Sequence, residues 1–399
     1  VGVAEDSSLF KIVKEGKALL KVPNPDRFRD KRGFYDPAWA PVFYNPRMRV
    51  SRDLGSVIVG VYGGRRGDVR ILDALAASGA RGIRYAVENR GLVSKLLLND
   101  INPLAARIAR ENIRLNRLEG VADVASEDAA VLMLRERGFD FLEIDPFGSP
   151  APFTDPALRS VSHRGMACFT ATDMPPLLGK YPKTSLRKYF SWSLRTEFSR
   201  ELGTRILLYF IAREAAKLGR RAIPLYAHST DHYIRVCVKV EKTKSGSGGL
   251  PGNIGYLWYC RKSLHRGVIE GIVPRVPTSC PSGGGKVEIA GPLWIGPLWD
   301  GEFAEAVYSL YMERMGEGYL SRKGLKIAEL IKGEVNAPPF FYTTEALASR
   351  YSLRSEPSPH AVVESLSEAG VKASLTHFDP KGFRTNLPPE EIIRLIDGG

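Results

Sequence analysis

Cysteine is scarce in this chain, with four residues among 399. Four cysteines make no disulfide framework, and a reducing cytosol is the default expectation. No apolar run approaches the roughly 18 residues of a membrane span. Residues 1–21 mix charges with apolar side chains and do not have the pattern of a signal peptide. No internal repeat is visible. Secreted, membrane-spanning and fibrous classes are thereby excluded. What is present is ordinary for a globular chain: 44% hydrophobic and 25% charged residues, enough to bury a sizeable core. The length suggests about two domains, because single cores rarely grow beyond ~250–300 residues.

Acidic charge is the other shortage, and it is local. Residues 1–249 hold 41 Lys+Arg against 27 Asp+Glu, whereas residues 250–399 hold 16 against 17. The whole basic excess of the chain, formally +13, therefore lies in the first part. Arg outnumbers Lys 37 to 20, and its planar fork suits bidentate phosphate contacts. This balance points to a polyanionic partner, nucleic acid rather than membrane, with an Arg-rich solvated surface as the alternative.

The clearest break is the Gly/Ser-rich stretch at residues 242–252. Before it, strands and helices alternate, which predicts an α/β domain with a mostly parallel sheet. Strands are expected at residues 69–73, 94–100, a short one ending near 126–128, 139–145 and 166–170. Helices are expected from Gly79 to Val87, from Pro103 to about Leu118 and around 204–218. Residues 222–229 and 232–241 form a closing hairpin. Beyond the linker, 254–297 predicts short strands and turns. Helices follow at 301–315, 322–331, 344–351 and 359–369, and the last two with 372–377 suit a winged-helix-like unit. The division is 1–245 and 250–399.

Residues 72–82, Leu-Asp-Ala-Leu-Ala-Ala-Ser-Gly-Ala-Arg-Gly, make a strand end, a turn and a helix start. Small residues let a ligand approach the backbone, and a helix N-terminus favours negative groups. The stretch lacks the GxGxxG spacing of a dinucleotide site, and by itself it is equally an ordinary βα turn. Asp100 and Asp128 stand at the ends of the next two strands. One such carboxylate can bind ribose hydroxyls and the other can accept from an adenine amine, which suits S-adenosylmethionine better than NAD. Taken singly, each is also a common helix cap.

The sharpest signal is Asp145-Pro146-Phe147-Gly148-Ser149-Pro150, an acid–Pro–aromatic pattern closing a buried strand. An amine conjugated to a ring is a poor nucleophile, because its lone pair is delocalised. Asp145 and the carbonyls around Pro146 can hold its N–H groups and turn the lone pair toward a methyl donor. Phe147 can stack on a base. Asn45-Pro46-Arg47-Met48 has a similar look, but no buried strand ends there. Residues 41–53 are expected as a loop over the site, carrying Phe43, Tyr44, Arg47, Arg49 and Arg52, a mix suited to a flipped base and its phosphates. A solvated basic loop is the alternative.

These residues resemble the tRNA guanine-26 N2-dimethyltransferases. The resemblance rests on residues 42–48, Ser51-Arg52-Asp53, 72–75, Asn99-Asp100-Ile101, 145–150 and Thr170-Ala171-Thr172-Asp173. It extends through Arg187-Lys188-Tyr189, 203–207, His232-Tyr233, 291–296 and Thr376-His377-Phe378, nearly end to end. It implies a class I (Rossmann-like) methyltransferase domain with a smaller α+β C-terminal domain specific to the family. The implied activity is S-adenosylmethionine-dependent methylation of guanosine N2 in cytoplasmic tRNA, giving N2-methyl- and N2,N2-dimethylguanosine. By the same resemblance Arg52, Arg81, Asp100, Asp128 and Ala129 bind the cofactor. Asp145, with Pro146 and Phe147, orients the amine, and Phe43 and Phe147 pack on the guanine with Arg47 beside them.

One departure concerns metal. Many relatives carry paired cysteines in the second domain, but here Cys260 and Cys280 stand singly in the corresponding places. Two thiolates, even with His265, do not complete a four-ligand zinc shell, and no metal is expected. No membrane or protein partner is inferred. The Asp145-Pro146-Phe147 motif alone also admits methylation of another nucleic acid or a protein amide, and a non-catalytic tRNA-binding protein is the competing class.

Overall fold

A computed structural model of the chain describes residues 7–244, 249–283 and 285–397. Residues 245–248 of the expected linker, and residues 1–6 of the N-terminal stretch expected not to be a signal peptide, lie outside the described residues. The elements run in the order β1 (Phe10–Glu15), β2 (Ala18–Pro23), α1 (Arg49–Arg66), β3 (Val69–Asp73), α2 (Ala80–Glu88), β4 (Val93–Asn99) and α3 (Pro103–Leu115). They continue with β5 (Ala122–Ala125), α4 (Ala129–Arg135), β6 (Phe139–Ile144), α5 (Ala151–Ser160), β7 (Val161–Ala171), α6 (Met174–Leu177), α7 (Pro182–Tyr189), α8 (Ser199–Lys217), β8 (Arg220–Thr230) and β9 (Tyr233–Lys242). The rest comprises β10 (Ile254–Tyr259), β11 (Arg266–Glu270), β12 (Glu288–Trp294), α9 (Gly301–Met315), α10 (Arg322–Glu334), β13 (Tyr342–Thr343), α11 (Thr344–Tyr351), α12 (Pro359–Glu368), β14 (Ala373–Leu375), β15 (Gly382–Thr385) and α13 (Pro389–Asp397).

Two compact units result, and they are interleaved along the chain. The first comprises Val1–Pro146, Phe153–Phe169 and Glu305–Ala328; the second comprises Phe147–Pro152, Thr170–Ala304 and Glu329–Gly399. The stretch at 242–252 lies within the second unit and is not where the chain crosses between them. Most of α9 and the start of α10, expected with the C-terminal part, belong to the first unit. Hydrogen bonds explain this: Arg314 donates to Asn89 at 2.7 Å, and the Ser321 N–H donates to Asp53 at 3.0 Å.

In the first unit, parallel strands stand side by side in the order β5-β4-β3-β6-β7. Ile71 pairs with Leu96 on one side and with Phe141 on the other. The apolar runs of β3, β4 and β6 reflect burial on both faces, as parallel sheets require. Local signals then start the helices. The Asn102 side chain caps α3 by accepting from Leu104 N–H, with Pro103 at the first position. Asp128 caps α4 by accepting from Val131 N–H.

α1 corrects the expectation of a loop over residues 41–53. Pro46–Met48 form a 3-10 turn capped by Asn45, and the chain then enters a helix whose residues Val50 to Gly63 are all buried. Burial all round removes the amphipathic period, and four glycines with several β-branched residues lower the helix propensity. The glycines serve close packing instead. A Cβ on Gly55 would lie 2.3 Å from the Tyr85 hydroxyl, and one on Gly60 would lie 2.6 Å from Asn89 Oδ1.

Around α1 and α2 the first unit buries an ionic lattice. Arg84, 0% exposed, places Nη1 3.0 Å from Glu15 and 2.7 Å from Asp53, and Nε 2.7 Å from Glu88. Arg52 pairs with the same Glu15 through two 2.6 Å bonds, and the Tyr44 hydroxyl donates to it at 2.8 Å.

The second unit contains the long buried helix α8 and the hairpin β8–β9, in register from Arg220↔Lys242 to Thr230↔Tyr233. A three-stranded sheet β11-β10-β12 follows. β13, α11, α12, β14 and β15 come in winged-helix order, with sheet order β13-β15-β14. Arg384 joins this unit's parts, reaching Glu201 on α8 at 3.0 Å and Glu334 on α10 at 2.6 Å. Cys168 and Cys237 are disulfide-bonded, a single pair and not a framework, and both are fully buried. Cys260 and Cys280 are free thiols packed with Val287. No group of three His, Cys, Asp or Glu residues is set to hold a metal ion among the described residues. No helix of the described residues is long and apolar enough to cross a membrane.

The lattice predicts acid sensitivity. Burial pushes the Glu15 carboxyl up, but Arg52 and Arg84 outweigh burial and hold it at about 2, below its ordinary 4.5. A lowered carboxyl stabilises the fold fully above its unfolded value and loses that contribution as pH falls toward about 2. Glu15→Gln should cost about 3–5 kcal/mol at neutral pH, the usual result of breaking a buried pair. Urea unfolding at several pH values checks this: the variant should lose less further stability than the parent between pH 5 and 2.

Candidate active site

Open α/β sheets bind ligands outside the C-terminal ends of their strands. Four neighbouring strands of the first unit, β5, β4, β3 and β6, each lead into an acid there: Asp128, Asp100, Asp73 and Asp145. This is the row of carboxylates the sequence predicted, with Asp73 added. Asp100 is half-buried and organises the β3–α2 turn. One of its oxygens accepts from Ala77 N–H at 2.8 Å, the other from Asn102 N–H at 2.9 Å. Ala77 has φ +48 and Gly79 φ +76, so this turn bends through the left-handed region twice. Asp128 is exposed, with Ala129 buried behind it.

Arg81, on the first turn of α2, faces this row from within. It is 6% exposed and ion-pairs with Asp145 through Nη2. Its Nε lies 3.8 Å from Glu143, and both terminal nitrogens lie 3.3 Å from the Ser51 hydroxyl. Burial works against this cation, but Asp145 and Glu143 outweigh it and hold the guanidinium firmly charged. Glu143 is 0% exposed and accepts from the Tyr85 hydroxyl at 2.9 Å. Asp73, also buried, accepts from Gly82 N–H at 3.1 Å. Burial, reinforced by Glu143, pushes its carboxyl up to about 7, with Arg81 pulling the other way.

The structure thus brings Arg81 and Asp145 together, a cofactor residue and a catalytic residue in the sequence-based assignment. It gives Arg52 a different partner, since that guanidinium is buried and forked onto Glu15. Segment 41–48 is tied to the same strand edge. Asn102, two residues beyond Asp100, donates to the Pro41 carbonyl at 2.9 Å, and Arg52 donates to the Asn45 carbonyl at 3.0 Å. Phe43 is half-buried on this segment and Arg47 is exposed. Pro146 is buried at the end of the first unit's leading stretch, while Phe147, 72% exposed, begins the second unit.

Several members of the site had no role assigned from sequence. Glu143 and Asp73 were detectable as acids inside apolar strands, which need partners. Ser51 and Tyr85 carried no such signal. In the second unit, Gly148 N–H donates to Thr172 Oγ1 at 2.8 Å and Ser149 Oγ lies 2.7 Å from the Tyr189 hydroxyl. Tyr189 in turn donates to Asp173 at 2.7 Å.

The same chain organisation occurs in known proteins. The family model for N2,N2-dimethylguanosine tRNA methyltransferase matches residues 20–397. The tRNA (guanine(26)-N(2))-dimethyltransferase of Methanosphaera stadtmanae is 36% identical over 389 residues, covering 96% of each chain. Its counterpart from Saccharolobus solfataricus is 36% identical over 390 residues, 97% of this chain and 98% of its own. Trm1 from Pyrococcus horikoshii, solved in complex with S-adenosyl-L-methionine, matches with TM-score 0.82 and 32% identity over 96% of this chain and 99% of that one. With the match running through both units, the chain belongs to the N2,N2-dimethylguanosine tRNA methyltransferase family.

Proposed function

We propose that this chain transfers methyl groups from S-adenosylmethionine to the exocyclic N2 of guanosine 26 in tRNA, forming N2-methyl- and then N2,N2-dimethylguanosine. The observation that carries this reading is Asp145 at the end of β6, held by buried Arg81 beside a row of carboxylates. The donor set suits the cofactor. Asp100 and Asp128 offer acceptors for ribose and adenine, and Asp73, Glu143 and Asp145 outnumber Arg81, which suits a ligand carrying a sulfonium and an ammonium. Arg52 supports the site through Glu15 and the Asn45 carbonyl, and Ala129 packs behind Asp128. When bound, S-adenosylmethionine supplies an electrophilic methyl group on sulfur.

The chain's own residues do the rest. Arg81 engages Asp145 Oδ2, leaving Oδ1 to accept an N–H of the guanine amine and turn its lone pair toward the methyl. An amine that takes up the methyl would have to shed one proton, and Asp145 would be the nearest acceptor in this assignment. Guanine inside folded tRNA hides its amine, so the base must leave the stack. Phe43 and Phe147 hold the extruded base, Arg47 meets its backbone, and Pro146 fixes the approach of the chain. Residues 1–245 carry the transfer chemistry, and residues 250–399 serve as the family-specific domain. The cytoplasm, where tRNA is found, is the place of action.

Mass spectrometry of nucleosides from tRNA incubated with protein and cofactor tests the reading directly. N2-methylated guanosine at position 26 is expected; a chain that binds tRNA but no cofactor would be a binding protein instead. Asp145→Asn, which spares Arg81 a full vacancy, should slow single-turnover methylation at saturating cofactor by about 10²-fold or more, a larger loss than any in cofactor affinity. Asp100→Asn should weaken cofactor binding first. Phe43→Ala or Phe147→Ala should cost ~1–3 kcal/mol of tRNA binding without changing cofactor affinity in calorimetry. Finally, a cationic ligand beside Asp73 favours its ionised form. Cofactor affinity should therefore rise with pH through about 7 and release protons on binding near neutrality. Asp73→Asn should abolish that proton release, measured by calorimetry in buffers of differing ionisation enthalpy.

A further inference from the structure

α7 and the residues after it form a second feature of the chain, on the second unit. Residues 180–195 contain five basic side chains, Lys180, Lys183, Arg187, Lys188 and Arg195, and no acidic one. The same stretch exposes Tyr181 at 50%, Phe190 at 51% and Trp192 at 37%. Large aromatics among cations, in a stretch that itself holds no acid, are what an RNA surface offers, with cations for phosphates and rings for unstacked bases.

Phe190 is informative in two ways. It ends α7 in the left-handed conformation, φ +56 and ψ 35, a position that glycine or asparagine normally fills. The protein keeps a bulky ring there at a conformational cost, although half of it faces solvent. Arg213 stacks on this ring, its guanidinium carbon 3.8 Å from the centroid. A planar cation layered on an exposed ring makes a platform that a base or a phosphate can extend.

The neighbouring Tyr189 points the other way and is 0% exposed. Its single hydroxyl proton goes to the Asp173 carboxylate, which can only accept, so Ser149 Oγ–H must donate to the Tyr189 oxygen. Lys188 adds a 2.9 Å bond to Asp173. α7, which carries exposed cations and is flanked by the exposed rings, is thus bonded to the Phe147-Gly148-Ser149 segment that follows Asp145 and Pro146.

We propose that residues 180–192 with Arg213 form a tRNA-holding surface, and that Tyr189 ties this surface to the segment carrying Phe147. The proposal rests on the tRNA reading above and adds the place of contact. Anisotropy titrations of labelled tRNA with the full chain, across a series of salt concentrations, test it. Lys183→Gln with Arg187→Gln should flatten the slope of log K against log[salt] by about 1 per lost contact. Phe190→Leu, which keeps an apolar side chain, should weaken binding roughly 10-fold while leaving the melting temperature and cofactor affinity unchanged. Arg275→Gln with Arg354→Gln, exposed positions of the same unit, removes equal charge and should change the slope less.

Unchanged tRNA binding by the first two variants, or an equal effect of the control pair, would overturn the proposal. So would a sedimentation dimer that the variants dissociate, because the patch would then pair two copies of the chain. Failure of the unaltered chain to bind or methylate tRNA would instead reject the activity itself.

Discussion

Arg81 is the cation on which the candidate site depends. Asp73, Glu143 and Asp145 converge at the ends of two adjacent strands, and three like charges in a buried setting repel strongly. One guanidinium, pairing with Asp145 and drawn toward Glu143, lets them coexist. It also leaves the cluster negative overall, so a cationic ligand completes the charge balance. Ser51 and Tyr85 hold the flanks, which explains why α1 and α2 must approach so closely that Gly55 cannot carry a side chain.

Behind the site lies the Glu15–Arg52–Arg84–Asp53–Glu88 lattice. Buried ion pairs contribute little net stability compared with apolar packing, because desolvation offsets the attraction. Their consequence here is geometric. Five charged groups with fixed partners join the β1–β2 turn, α1, α2 and the start of α10, so segment 41–48 enters α1 in one orientation. The second unit uses the same device around Glu201, Arg384 and Glu334, where His377 adds a 2.6 Å contact to Glu334.

Much of this molecule is determined locally. The apolar runs of β3, β4 and β6, the caps at Asn102 and Asp128, and the acids after each strand follow from period, propensity and turn chemistry. The same holds for the hairpin at 220–242 and for helices α9 to α12, whose limits follow Pro, Gly and capping residues. The Asp145-Pro146-Phe147 motif pointed to amine methylation before any contact was known, because few structural needs place an acid, a proline and an aromatic at the end of a buried strand.

Tertiary structure decided what local rules could not. α1 has no amphipathic period because it is covered on every side, so its helicity comes from packing against α2 and not from propensity. Arg52 and Arg81 are alike in sequence as arginines beside small-residue motifs. Their roles part only when folding brings Glu15 to one and Asp145 to the other, over 37 and 64 residues of chain. The capture of Glu305–Ala328 by the first unit has the same origin, since Asp53 and Asn89 find Ser321 and Arg314 at separations above 200 residues. Pattern along a chain specifies faces, turns and caps within a few residues. The partner of a buried charge is set by which distant element closes over it, because only the folded geometry makes leaving that charge unpaired too costly.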